Sequence, residues 1–286
     1  MNEPKVIAEI GCNHKGEMDI AYEMIKMASI FCNVDGVKFQ KRSPRELLTE
    51  EEYNAPHPNP VNSYGNTYGE HREMLEFDLE QHRQLKKWCE DFNLLYSVSV
   101  WDMTSAKEMV SLKPQMLKIP SACNLKFDLL GYICDEFKGS IHLSLGMTTR
   151  EEEKRIIDFL GKKNRNQDLI IYACTSGYPI AFEDICLLEI SRLKEAYGNI
   201  VQDIGFSGHH LGIAADVAAL ALGAVWVERH FTLDRTWKGT DHAASLEPDG
   251  MRRLTRDLKS VYKALNQKPQ EILEVEEVQR NKLKRL

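Results

Sequence analysis

His209 and His230 stand at the ends of two consecutive predicted strands, in Gly205-Phe206-Ser207-Gly208-His209-His210 and Glu228-Arg229-His230-Phe231. One helix-length stretch, Ile213 to Leu222, lies between them. That spacing makes the strands neighbours and brings both imidazoles to one end of a sheet, where they can share a metal ion. Imidazole is a borderline ligand that suits Mn, Fe, Co or Zn, so the pair alone leaves the metal open. A lone strand-end histidine is ordinarily held by hydrogen bonds; the paired placement is what argues for a metal. Side chains alternate along an extended chain, so the adjacent His210 is expected to point elsewhere.

Two lysines, Lys38 and Lys118, sit inside otherwise apolar strands, where an unpaired ammonium costs stability. Other polar residues gather at predicted strand ends: Glu9 with Asn13-His14, Gln40, Ser99, Ser121, Ser144, Thr175, Ser176, Tyr178, Ser207 and, after the last strand, Asp241-His242. Two buried cations among several hydroxyls form a hydrogen-bonding cradle suited to a phosphate and a carboxylate on one small molecule. The plain alternative, that each lysine pairs with Glu9 or Asp241 as a structural ion pair, leaves the serines unexplained.

The elements that must position these residues alternate along the chain. Strand candidates are Val6-Ile10, Asp35-Gln40, Leu94-Val100, Gln115-Ile119, Ile141-Leu145, Leu169-Cys174, Ile204-Ser207 and Val225-His230. Amphipathic helical stretches intervene, including Met18-Ile30, Leu79-Phe92, Glu151-Leu160 and Phe182-Tyr197, with Pro248 to Leu265 last. Eight such βα units in roughly 250 residues predict a (β/α)8 TIM barrel, whose chemistry lies at the C-terminal strand ends. A doubly wound sheet would usually show a GxGxxG turn after an early strand, and none occurs. The polar, turn-rich segment Arg42 to Phe77 interrupts the alternation. It reads as a long loop that covers substrate, since Tyr64, Tyr68 and His71 do not suit a linker.

The chain of 286 residues is 43% apolar with a net charge of −6. It has no run of about 18 apolar residues, which argues against a membrane span. It also has no long basic block, which argues against nucleic acid as a partner. Seven cysteines without a CxxC pair, and an N-terminus without a signal-peptide pattern, predict a reduced, cytoplasmic protein.

The segments that carry these residues resemble the sialic acid synthase family. The motifs are Ile7-Ala8-Glu9-Ile10-Gly11-Cys12-Asn13-His14, Val37-Lys38-Phe39-Gln40, Lys118-Ile119-Pro120-Ser121, Ser144-Leu145-Gly146-Met147, Cys174-Thr175 through Tyr178-Pro179, Gly205 through His209, Glu228 through Asp234, and Lys238-Gly239-Thr240-Asp241-His242. The resemblance implies a (β/α)8 barrel that condenses phosphoenolpyruvate with an open-chain N-acylated hexosamine (N-acetylmannosamine or its 6-phosphate), giving a nine-carbon 2-keto acid. It implies that His209 and His230 hold a divalent metal, usually manganese, with magnesium or cobalt as alternatives. Lys38, Ser99, Lys118, Ser121, Ser144 and Ser207 match phosphoenolpyruvate-binding positions. Glu9, Gln40, Tyr178 and Asp241 match positions around the acceptor and the reacting carbons. The stretch Tyr68-Gly69-Glu70-His71-Arg72 resembles members acting on phosphorylated hexosamines and places Arg72 near a sugar phosphate or in a helix-start salt bridge. Asn66, with Asn62, Tyr64 and Tyr68, is expected to hydrogen-bond or stack on the sugar.

Three departures from the family pattern stand out. Family members continue into a small antifreeze-like domain, so 1–270 reads as the catalytic barrel and 271–286 as a tail or severed linker. Cys123 stands where an acidic residue is usual, and Leu145 where serine or threonine is. A different aldose acceptor, or a catalytically silent barrel that binds a sugar or a partner, are the competing readings. A homodimer is expected, with Phe231 and Trp237 in the contact.

Overall fold

The computed structural model describes residues 2–284. Its strands are β1 (Lys5–Gly11), β2 (Gly36–Lys41), β3 (Leu95–Val100), β4 (Met116–Ile119), β5 (Ser140–Ser144), β6 (Leu169–Cys174), β7 (Asp203–Gly208) and β8 (Trp226–His230). All are parallel to their neighbours, and β8 closes on β1 to complete an eight-stranded barrel. The predicted strands agree to within one or two residues. Burial on both faces explains why they read as almost unbroken apolar runs.

The helices are α1 (Met18–Ile30), α2 (Pro44–Leu47), α3 (Glu50–Asn54), α4 (Tyr68–Met74), α5 (Leu79–Asp91), α6 (Met103–Ser111), α7 (Phe127–Glu136), α8 (Arg150–Lys162), α9 (Leu188–Tyr197), α10 (Ala214–Leu222), α11 (Pro248–Ala264) and α12 (Glu274–Leu283). The outer ring buries one stripe per helix. In α1 the buried residues are Ala21, Met24, Ile25 and Ala28, a spacing that returns to one face. Helix α12 buries none of its residues and is tied back by Lys268 to Glu276 at 2.8 Å. Among the described residues no helix is long and apolar enough to cross a membrane.

Three expectations need correction. The segment 42–77 is not a plain loop, because it contains α2, α3 and α4. Its polar residues are helix caps: Thr49 with Glu52, and Thr67 with Glu70, form capping boxes, and Pro44 opens α2. Such residues read as turn signals when the helices they start are only one or two turns long. The stretch Phe182-Tyr197 is also not one helix. A 3-10 turn at Phe182–Asp184 is separated from α9 by Cys186, at φ +53°. Finally, Phe231 is fully buried, so it cannot lie in a contact between subunits.

Candidate active site

Strand register places the polar residues in layers across the barrel mouth. Glu9 aligns with Lys38 on one side and His230 on the other. Gln40 aligns with Ser99, and Ser99 with Lys118. Cys174 aligns with Ser207, and Ser207 with Glu228. The result is one cavity of about 280 Å³ lined by Glu9, Lys38, Gln40, Ser99, Lys118, Ser121, Ser144, Tyr178, Ser207, His209, Glu228 and His230. Gly146 is required at its wall, since a Cβ there would stand 2.5 Å from the Ser176 hydroxyl and 2.7 Å from that of Ser121. The Ser121 hydroxyl instead accepts the Gly146 N–H at 3.1 Å.

Glu228 organises the charge. Its Oε1 accepts from Lys38 Nζ at 2.7 Å and from the Ser207 hydroxyl at 3.3 Å, and its Oε2 accepts from Lys118 Nζ at 3.3 Å. Lys38 also pairs with Glu9 at 2.5 Å, and Gln40 donates to the other Glu9 oxygen at 3.0 Å. The Lys118 ammonium lies 3.3 Å from the Tyr172 ring centre. Burial pushes Lys38 down to about 8 against the pull of Glu228, and lowers Lys118 in the same way. Burial works to raise Glu228, but the two ammonium groups overturn it and hold the carboxyl well below the usual range. The expected ion pairing is therefore present with a different partner: both lysines use Glu228, Lys38 adds Glu9, and neither pairs with Asp241.

His209 and His230 face the same cavity with ring centres 5.6 Å apart, and the Tyr178 ring stands 4.3 Å from His209. The Thr175 carbonyl lies 2.9 Å from His209 Nδ1. A carbonyl can only accept, so Nδ1 carries the proton and Nε2 keeps its lone pair. His230 Nδ1 is buried without a hydrogen-bond partner, and its nearest carboxylate, Asp241, is 4.0 Å away. Burial pushes His209 down to about 3 and lowers His230, keeping both rings neutral, as metal ligation requires. Two neutral imidazoles with an unsatisfied buried nitrogen fit a borderline divalent metal. Among the described residues no group of three or more His, Cys, Asp or Glu is arranged to hold one. The protein thus offers an incomplete shell, the kind that leaves positions for a reactant. His210 turns outward, with its Nε2 3.1 Å from Arg229 and 3.3 Å from Asp216.

Other predicted residues lie elsewhere. Asp241 and Arg72 line an adjoining cavity of about 180 Å³, which shares Gln40, Trp101, Tyr178 and His230 with the first. Among the described residues Arg72 has no salt-bridge partner, and its Nε donates to the Tyr68 hydroxyl at 3.0 Å. Asn66 is exposed and lines none of these cavities, and its backbone N–H donates to Glu70. Asn13 and His14 are structural: Asn13 donates to the Phe231 carbonyl at 2.8 Å, and His14 stacks on Phe77 at 4.0 Å. Cys123 is buried, with its thiol 3.3 Å from the Trp101 carbonyl, and burial pushes it up to about 11. Sequence reasoning missed Glu228, although it lies two residues before His230 and so on the same strand face. It also missed Arg42, whose guanidinium is buried against Glu76 at 2.7 Å, and Trp101, which lines both cavities. No periodic signal marks those two, since they follow strands β2 and β3 rather than lie within them.

Known proteins with this barrel place the site in context. The chain is 36% identical to human N-acetylneuraminate-9-phosphate synthase over 271 residues, covering 95% of this chain and 74% of the relative. It is 30% identical to the N,N'-diacetyllegionaminic acid synthase of Campylobacter jejuni, covering 93% of this chain and 78% of that one. The crystal structure of N-acetylneuraminic acid synthetase from Leptospira borgpetersenii superposes with a TM-score of 0.83 at 27% identity, covering all of this chain and 94% of that one. The sequence profile of the NeuB family matches residues 24–270, from α1 to beyond α11. The segments that build the mouth from Lys38 to Asp241 all fall inside that match, and the chain belongs to the NeuB family.

Proposed function

We propose that the chain condenses phosphoenolpyruvate with the open-chain aldehyde of an N-acylated hexosamine, N-acetylmannosamine or its 6-phosphate, giving a nine-carbon 2-keto-3-deoxy sugar acid and phosphate. One observation carries the reading: two buried lysines fixed by a shared carboxylate occupy the same small cavity as two neutral, partly unsatisfied imidazoles. The first pair suits the anionic reactant and the second suits the aldehyde.

Lys38 and Lys118 bind the phosphate and carboxylate of phosphoenolpyruvate, helped by the hydroxyls of Ser99, Ser121, Ser144 and Ser207. An ammonium has three donors. Glu228 takes one of those on Lys38, with the Glu9 carboxylate ion-paired beside it, and the others remain for the anion. The enol carbon attacks the aldehyde carbon, positive charge develops at C2 of phosphoenolpyruvate, water adds there, and the tetrahedral intermediate expels phosphate. Fixed dipoles and charges around those atoms supply positioning and charge stabilisation. Gln40 and Tyr178 orient the acceptor. Glu9 and Asp241 are the carboxylates we assign to proton transfer. Glu9 is engaged by Lys38 and Gln40, which leaves Asp241 the less committed of the two. His209 and His230 would hold the divalent metal, which we assign as manganese ahead of magnesium or cobalt. When bound, it supplies Lewis-acid polarisation of the aldehyde oxygen.

In this reading the enzyme works in the cytoplasm as a homodimer. All seven cysteines are free, in keeping with a reducing compartment, and light scattering at micromolar concentration tests the dimer. The central test is phosphate release from phosphoenolpyruvate with a panel of aldoses and manganese. Release is expected with N-acetylmannosamine or its 6-phosphate. Release no faster than with phosphoenolpyruvate alone, for every aldose, would overturn the reading.

A further inference from the structure

We propose that Tyr172 is a positioning residue for the condensation: the face of its ring carries the Lys118 ammonium and holds it, charged, where it meets the anionic reactant. The inference rests on the condensation reading and adds to it a residue that lines neither cavity of the mouth.

The two mouth lysines are held unequally. Lys38 lies 2.7 Å from one Glu228 oxygen and is also paired with Glu9, whereas Lys118 has one carboxylate contact, at 3.3 Å. Among the described residues its other partner is the Tyr172 ring, whose centre is 3.3 Å from Nζ. That is well inside the reach of a cation–π contact, which is strongest where water is excluded. Both side chains are buried, Tyr172 completely.

The ring is anchored at its far end and given room at its side. Tyr172 stands on β6, and its hydroxyl lies 2.7 Å from Nδ1 of His142 on β5. His142 Nε2 lies 3.2 Å from the Ser140 hydroxyl, which reaches the Gln115 carbonyl at 3.5 Å. Only one direction of this relay satisfies every proton: Tyr172 donates to His142, His142 to Ser140, and Ser140 to the carbonyl. Burial pushes Tyr172 well above the ordinary phenol range and His142 down to about 3, so both stay neutral. Donation polarises the Tyr172 oxygen and enriches the ring in electrons, which strengthens its hold on a cation. The Trp226 ring packs edge-on against His142 at 4.7 Å. Gly205 opens the remaining space, since a Cβ there would stand 2.6 Å from Tyr172 Cε1. Filling the core asks only for volume; the locked ring adds an orientation, with its face toward Lys118 and its hydroxyl toward His142.

The test grades the ring face without changing its shape. Tyr172→Phe is compared with the same ring bearing two and then three fluorines, which drain negative charge from the face. In the free protein Lys118 is titrated by NMR on isotope-labelled lysine, its signal assigned by its disappearance in Lys118→Met. The midpoint should fall stepwise with fluorination, by about one pH unit in all. Phosphoenolpyruvate affinity, measured by calorimetry above the midpoint, should fall with it by about tenfold, the change in the charged fraction. Burial keeps His142 and Cys174 neutral, so the charged neighbours of Lys118 are Glu228 and Lys38, which are the same throughout the series. A ring that only fills space would leave both readouts unmoved. An unmoved midpoint, or a midpoint that moves while affinity stays constant, overturns the proposal. Where loss of the hydroxyl unfolds the protein, fluorinated tyrosine at the same position carries the comparison. If the parent binds no phosphoenolpyruvate, the synthase reading falls, and the midpoint still decides whether the ring holds the cation.

Discussion

Replacing Glu228 with glutamine keeps the shape of the side chain and removes the one charge that both mouth lysines share. In the parent, Glu228 accepts from Lys38 at 2.7 Å and from Lys118 at 3.3 Å, and burial holds Lys38 at about 8 with Glu228 opposing the fall. A charged hydrogen bond in a dry site contributes about 2–3 kcal/mol, equivalent to about two pKa units. Without it Lys38 should titrate near pH 6. At pH 7.5 about three quarters of the parent's Lys38 is charged, against about 3% in the variant, so kcat/KM for phosphoenolpyruvate should fall by roughly 25-fold. At pH 5.5 Lys38 is charged in most molecules of both proteins, so the loss should shrink to within about threefold. His209 is held down to about 3, so it stays neutral across this window and does not obscure the comparison. The assay is phosphate release under kcat/KM conditions at the two pH values with saturating manganese. An equal loss at both would mean that Glu228 acts through shape or contact, and the electrostatic argument would be wrong.

Further outcomes follow from the same geometry. His209→Ala and His230→Ala should each weaken manganese binding by at least about 100-fold in calorimetry, while His210→Gln keeps it; undiminished binding in both alanine variants refutes the ligand assignment. Chelation should stop acceptor-dependent phosphate release while leaving phosphoenolpyruvate binding within about threefold, because Lys38 and Lys118 hold the anion and the metal serves the aldehyde; a phosphoenolpyruvate affinity that falls by about tenfold or more counts against this division. Burial pushes His82 down to about 3, so the unfolded chain binds the extra proton first and stability falls as pH drops from about 6.5; His82→Gln should flatten that slope by about 1.4 kcal/mol per pH unit in urea melts, and an unchanged slope sinks the argument. Arg229→Met strands the fully buried Asp216, whose carboxylate sits 2.5 Å from the guanidinium, and should cost about 3–5 kcal/mol by denaturant melts although the side chain faces away from the cavity; a loss under about 1 kcal/mol contradicts this.

The barrel was legible because a strand buried on both faces leaves a short apolar run, and a helix packed on it leaves a stripe of period 3.6. The excursion between β2 and α5 was not, because α2, α3 and α4 are too short for a stripe and announce themselves only through caps such as Thr49 and Thr67. The mouth was legible where position on a strand decides direction. Lys38 and Gln40 share a face, as do Ser207 and His209, and all four line the cavity. Asn66 failed for the opposite reason. In an irregular segment residue type carries no direction, and its exposed amide ends outside the mouth. Glu228 was hidden by its neighbour: the motif drew attention to His230 and not to the acid two residues earlier on the same strand face.

That acid explains how an acidic chain can present ammonium groups to an anion. A lysine alone in a barrel interior would lose its proton, and a lysine fully paired would have nothing left to offer. Glu228 avoids both outcomes by sharing one carboxylate between two ammonium groups: it keeps them charged yet leaves donors on each unused. The barrel makes such sharing dependable. Glu228 stands on β8, Lys38 on β2 and Lys118 on β4, three strands whose spacing is set by closure rather than by the side chains themselves. Substrate binding then needs no rearrangement of the cations, only replacement of solvent by phosphate and carboxylate oxygens. The same fixed geometry makes Glu228→Gln informative: the strands hold Lys38 and Lys118 in place, so charge changes while position does not.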